Sequence, residues 1–188
     1  MNTIEPWAKL GSAPLGDFGI FTIRSDRKVS PRTRRAHDFF VIECVDWVNV
    51  IALTPAQELV MVEQFRHGSN TVELEIPGGM MDAEDPSPEA AAQRELREET
   101  GYEGQNPRLL GRVFPNPAIM TNVCFTILVE NCRCLHAPEL DGTEDLLTRL
   151  VPVAEIPALM TAGKIRHSLV AAALYHFDLY RRGAGGCP

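Results

Sequence analysis

Apolar positions along the chain fall into two rhythms, one of period two and one near 3.6, and their order predicts strands interleaved with a few helices. From residue 38 to 65 the pattern is strand-like: residues 39–42, 48–53 and 59–62 are apolar, with a turn at 54–57, and a meander of antiparallel strands is expected. Residues 1–36 carry few signals apart from a short strand expected at 18–23. Over residues 71–76, Val72, Leu74 and Ile76 alternate with Glu73 and Glu75, which predicts a strand with one apolar and one acidic face. Strands are also expected at 108–114, 122–130 and 147–153.

Helices are expected at 154–161 and 165–181, the latter with Leu169, Ala172, Ala173, Phe177 and Tyr180 at helical spacing. A further helix is bounded by strong end signals. Ser87 suits the N-cap, Pro88 the first turn, Glu89 the positive end of the helix dipole and Gly101 the left-handed stop. The sum is an α/β fold in which a mixed sheet is covered by helices on both faces. An N-terminal extension (1–37), one main domain (38–182) and a frayed tail (183–188) are expected.

A chain of 188 residues with 45% hydrophobic content can bury one substantial core. The net charge of -7 argues against a sequence-independent nucleic-acid binder, which needs a basic surface. A small phosphorylated ligand remains compatible, because a bound divalent cation supplies positive charge locally. No apolar run approaches the roughly 20 residues that span a bilayer, and no basic-then-apolar leader opens the chain, so no membrane partner and a cytoplasmic location are expected. The odd set Cys44, Cys124, Cys132, Cys134 and Cys187 fits reduced thiols. Cys132 and Cys134 have no second pair at ligand spacing, so zinc is not expected.

Composition is silent on chemistry, but the capped helix is not. Glu95, Glu98 and Glu99 stand at i, i+3 and i+4, stacking three carboxylates on one side. Left alone, like charges at this spacing are unfavourable, whereas a hard divalent cation requires such a group of oxygens. A solvated acidic face offset by Arg94 and Arg97 is the bland alternative. Gly78 and Gly79, between the acidic strand and the helix, favour the functional reading, since a loop without Cβ atoms can turn back and aim backbone carbonyls at the same ion.

Gly78, Gly79 and the run from Arg94 to Gly101 together resemble the Nudix box, a Gly-led loop with a Glu, then Arg-Glu-U-x-Glu-Glu-x-Gly-U, where U is a bulky apolar residue. The second half matches at every defined position, with Tyr102 as the last apolar one. The first half departs: from Gly79 the stretch to Arg94 is one residue longer than the signature, and from Gly78 only Glu84 is in register. A longer loop through Asp82, Glu84, Asp85 and Pro86 accounts for this, and the first box glutamate stays open.

The resemblance implies a Nudix-type α/β/α sandwich with an N-terminal β extension. It also implies Mg2+, with Mn2+ as an alternative, held by Glu95, Glu98, Glu99 and the Gly78 carbonyl, with Arg94 orienting the carboxylates. Glu144, in the acidic loop 141–145, resembles the catalytic base of the ADP-ribose pyrophosphatase branch, with Glu139 competing. Arg66, Glu75 and Pro117 resemble substrate-side positions of that branch, and Arg35, Phe39 and Trp47 are candidate base or ribose contacts, although both aromatics also suit core packing. The reaction implied is hydrolysis of the diphosphate of ADP-ribose or a nucleoside diphosphate sugar by a homodimer. Other nucleotides, such as dinucleoside polyphosphates or coenzyme A, and a non-catalytic nucleotide sensor are the alternatives. His37, His67, His136, His167 and His176 show no ligand spacing and are given no catalytic role.

Overall fold

The computed structural model describes residues 3–183, so Cys187 and most of the tail expected to fray lie outside the described residues. The described chain divides into two compact units. The first takes in the N-terminal residues up to Val45 together with Phe114–Val123, and is built on an antiparallel sheet of β1 (Ala8–Asp17), β2 (Thr22–Val29) and β3 (Ala36–Glu43) in that order. Of the strand expected at 18–23, only residues 22 and 23 are strand, the start of β2, and 18–21 form the hairpin between β1 and β2. Gly19 adopts φ 80°, a conformation that favours glycine, and the chain reverses there before β2 begins at Thr22. On β2, Asp26 is buried and takes Lys9 at 2.8 Å and the Ser12 hydroxyl at 2.7 Å.

The second unit contains β4 (Trp47–Ala52), β5 (Glu58–Arg66), β6 (Thr71–Glu75), α1 (Pro88–Thr100), β7 (Tyr102–Val113), β8 (Cys124–Cys134), β9 (Leu146–Pro152), α2 (Ile156–Thr161) and α3 (Ser168–Arg181). A 3₁₀ turn over Val153–Glu155 leads into α2. β4 pairs in parallel with β8, which pairs antiparallel with β7, while β5 lies between β6 and β9. The expected meander over residues 38–65 is therefore overturned. β4 is apolar on both faces, as suits a central parallel strand, and its partner comes from far along the chain.

Alternate side chains of the strands feed two cores. Val48, Val50, Val60, Ile127 and Val129 pack with Ala91, Ala92 and Leu96 of α1. Ile51, Leu59, Met61 and Leu128 pack with Val170, Ala173, Leu174 and Phe177 of α3. Helices thus cover both faces of the strands, which is the α/β/α sandwich. α3 begins at Ser168, later than expected, because His167 has extended backbone. No helix among the described residues is long and apolar enough to cross a membrane.

Candidate active site

The strand β6 and the helix α1 are joined by a segment that runs back along β4. The amides of Val50 and Val48 donate to the carbonyls of Pro77 (2.8 Å) and Gly79 (2.9 Å). Antiparallel pairing alternates, so the N–H and carbonyl of the intervening Gly78 both turn away from β4. Its N–H donates to Glu99 Oε2 at 3.0 Å. A Cβ at Gly78 would collide with the Val48 carbonyl oxygen, and one at Gly79 would stand 2.6 Å from Glu95 Oε1. Gly78 is required by this close approach to backbone and by its φ of 155°, whereas a Cβ at Gly79 would displace the Glu95 carboxylate.

α1 ends as its sequence signals: the Ser87 hydroxyl accepts from the Ala90 amide and Gly101 closes the helix at φ 71°. Its inward face buries Glu95 and Glu99, the latter only 5% exposed. Burial, aided by the charges of Glu98 and Glu144, pushes Glu95 up to about 7 against the pull of Arg94. Burial and then the charge of Glu95 push Glu99 up to about 8. Two buried acids facing too little positive charge are a donor set suited to a hard divalent cation.

Arg94 anchors the surroundings. Its guanidinium donates to both Asp85 oxygens (3.2 and 2.9 Å), the Met80 carbonyl (3.0 Å), Glu95 (2.9 Å) and Glu98 (3.1 Å). The longer loop is thereby tied to α1 by Asp85, whereas Glu84, the in-register candidate, is exposed. Glu95 and Glu98 both lean on Arg94, and among the described residues no three His, Cys, Asp or Glu side chains converge at ligand distance.

The two candidate bases differ in setting. The charge of Glu144 reaches both Glu95 and Glu99, while its own carboxylate accepts from the Asp141 amide at 3.1 Å. Glu139 is engaged by Arg97 at 2.9 Å. Thus the electrostatics link Glu144, and not Glu139, to the buried acids.

A cleft of about 830 Å³ in the second unit is lined by Trp47, Asn49, Arg66, Glu73, Glu75, Gly78, Gly79, Arg166 and His167. Here β6 shows the expected two faces, with Leu74 and Ile76 on the α3 core and the acids on the cleft, and Val72 outside the core. Val72 is 61% exposed, while Glu73 and Glu75 are 6% and 2% exposed and face the cleft. Glu75 holds Arg66 through two bonds of 2.9 Å, and the charge of Glu99 also acts on Arg66. Glu73 holds Arg166 at 3.1 and 2.6 Å. The Thr71 hydroxyl and Arg166 keep the Glu73 carboxyl below its ordinary range. Asn49, Glu73, Arg166 and His167 were not singled out for function in the sequence. Glu73 and Arg166 stand 93 positions apart, and nothing in their spacing announces a pair.

In the first unit, Phe39 is partly exposed and meets Trp7 edge-on at 5.3 Å, so it is not a core residue. Arg35 lines a separate hollow there, and Pro117 is exposed in a turn.

Residues 46–172 match the NUDIX domain family. The chain is 27% identical over 170 residues to an ADP-ribose pyrophosphatase of Mycobacterium tuberculosis, covering 88% of this chain and 80% of that protein. It is 28% identical over 133 residues to an ADP-ribose pyrophosphatase of Bacillus subtilis, covering 70% and 71%. The crystal structure of an ADP compounds hydrolase superposes with a TM-score of 0.84 at 18% identity, over 98% of this chain and 100% of that one, a likeness of fold.

Proposed function

This chain belongs to the NUDIX family and is a hydrolase of that family, and on that premise we propose that it hydrolyses the diphosphate of ADP-ribose or a nucleoside diphosphate sugar, with Mg2+ or Mn2+ as cofactor. The products are a nucleoside monophosphate and a sugar phosphate. The observation that carries this reading is the buried pair Glu95 and Glu99 beside the turned-out backbone of Gly78, in a unit whose cleft also holds Arg66.

Glu95, Glu98, Glu99 and the Gly78 carbonyl would hold the cation, which supplies neutralisation of the diphosphate and activation of the attacking water. Arg94 keeps the carboxylates oriented through its shared contacts with Asp85, Glu95 and Glu98. Arg66, fixed side-on by Glu75, presents its remaining N–H groups to phosphate oxygens. Glu144 removes the proton from water, a role supported by its charge acting on Glu95 and Glu99. Pro117 contributes to the substrate-side loop. Two subunits associate, a reading supported by an apolar groove on the first unit lined by Leu15, Phe18, Ile23, Phe40, Ile42 and Ile119. Light scattering giving a monomer mass would remove that part.

A sensing module would not need this complete set of acids, so the intact Glu95, Glu98 and Glu99 favour turnover. The test is phosphate release, coupled to a phosphatase, with and without Mg2+, across ADP-ribose, nucleoside diphosphate sugars, dinucleoside polyphosphates and coenzyme A. Metal-dependent cleavage of the first two classes is expected. Fastest cleavage of dinucleotides or coenzyme A would transfer the assignment to those substrates, and binding without cleavage would point to sensing.

A further inference from the structure

β6 presents two acids to one cleft, and each grips an arginine from a different element. Glu75 takes Arg66 from the end of β5, and Glu73 takes Arg166 from the turn between α2 and α3. Arg166 spends Nε and Nη2 on Glu73, at 3.1 and 2.6 Å, and its side chain stays about half exposed at the cleft wall. Glu73 is further held by the Thr71 hydroxyl at 2.5 Å. A guanidinium gripped side-on is fixed in direction, yet its charge is compensated. Arg66 is gripped in the same way, so the grip fixes direction in both and position along β6 tells the two apart; beside Arg166 the N–H and carboxylate edges together suit a hydroxyl, which both donates and accepts.

A second feature of the same cleft points to a ligand independently. Asn49, 9% exposed on β4, lines the cleft with its Nδ2 lacking any hydrogen-bond partner. Buried amide donors are ordinarily satisfied, and this one is open to an acceptor from a bound ligand. Position adds direction. Glu75 lies at the Gly78 end of β6, and Glu73 is two residues, about 7 Å, further along the strand. A diphosphate placed against Arg66 and Gly78 leaves Arg166 and Glu73 further along the cleft, on the side of one of its two attached groups.

We propose that Arg166, oriented by Glu73, and Asn49 form the subsite for the uncharged, hydroxyl-bearing sugar attached to the diphosphate, and that Arg166 determines specificity for that sugar. The inference rests on the diphosphatase reading above.

The experiment uses the full chain and compares its best sugar nucleotide, such as ADP-ribose, with the ethyl ester of ADP, which keeps the base and diphosphate but lacks the sugar hydroxyls. Arg166→Ala is expected to lower kcat/KM for the sugar nucleotide by about tenfold or more, while the ethyl ester stays within about twofold. Asn49→Ala should show the same selectivity, and Arg166→Lys should not rescue, since an ammonium has no planar fork. Calorimetry in EDTA with the α,β-methylene analogues of both ligands gives a readout free of turnover. Wild type should bind the sugar-bearing analogue more tightly, and Arg166→Ala should erase the difference. Equal losses on both ligands would assign Arg166 to the diphosphate or the fold, and no loss on either would remove it from the site; both overturn the subsite. If wild type with Mg2+ cleaves neither nucleotide, the diphosphatase reading fails and takes the subsite with it.

Discussion

Glu99→Gln should make the cation-free protein more stable while ending its activity. Glu99 is buried, and its carboxyl is pushed from 4.5 up to about 8 by burial and by Glu95. A carboxyl whose folded pKa exceeds its unfolded one binds its proton more tightly in the folded state. The stability it contributes is full below the unfolded value of 4.5 and is lost as pH rises through about 8. At pH 8.5 the strain of ionising this site is on the order of 4 kcal/mol, of which a share belongs to the repulsion with Glu95 and disappears with either acid. Glutamine keeps an oxygen for the Gly78 amide but brings an NH2 group to be satisfied, a cost of about 1 kcal/mol. A net gain on the order of 3 kcal/mol remains, or about 6–12 °C in Tm for a chain of this size. Thermal melts in EDTA at pH 8.5 and pH 5 should show the gain at the higher pH and its disappearance at the lower, where the wild-type carboxyl is neutral. Added Mg2+ should then raise Tm of wild type more than that of the variant, since a ligand stabilises the form that binds it. A variant no more stable than wild type at pH 8.5, or a gap unchanged between the two pH values, would refute the account of Glu99 as a strained buried anion.

Glu144→Gln should lower kcat by about a hundredfold or more with little change in KM, as removal of a base does; an unchanged rate at saturating substrate would move the base elsewhere. Gly78→Ala should cost about 3 kcal/mol or more, because the added methyl meets the Val48 carbonyl, and a denaturant midpoint near that of wild type would contradict this packing. Asp26 is held well below its ordinary value of 3.8 by Lys9, Ser12 and Arg24. Its contribution is present above that value and lost as pH falls through the lower folded one, so Asp26→Asn should flatten the acid side of a Tm-against-pH curve. An acid limb of unchanged slope would show that Asp26 does not govern it.

Local signals carried the parts of this fold that are local. Ser87, Pro88 and Gly101 bound α1 where their cap chemistry places them, and the spacing of Glu95 and Glu99 puts both on its buried face. What escaped is long-range. β4 reads like one strand of a meander, but its partner β8 lies beyond α1 and β7. The alternation over 71–76 located β6 and its two faces, but period two says only that faces differ: that the acids are buried in a cleft, and that Val72 meets solvent while Leu74 and Ile76 join the core, depends on the neighbours. Asn49 sits in an apolar run, and its unpartnered amide becomes visible only when its neighbours are placed.

The grip of Arg94 on Asp85 and Met80 changes what counts as the signature in chains of this kind. An acid that reaches back to the guanidinium ties the connector to the helix, so the extra residue in this chain is accommodated while the helix and the glycine turn stay in place. Lengthening it by a few small polar residues on the far side of Asp85 should therefore be tolerated.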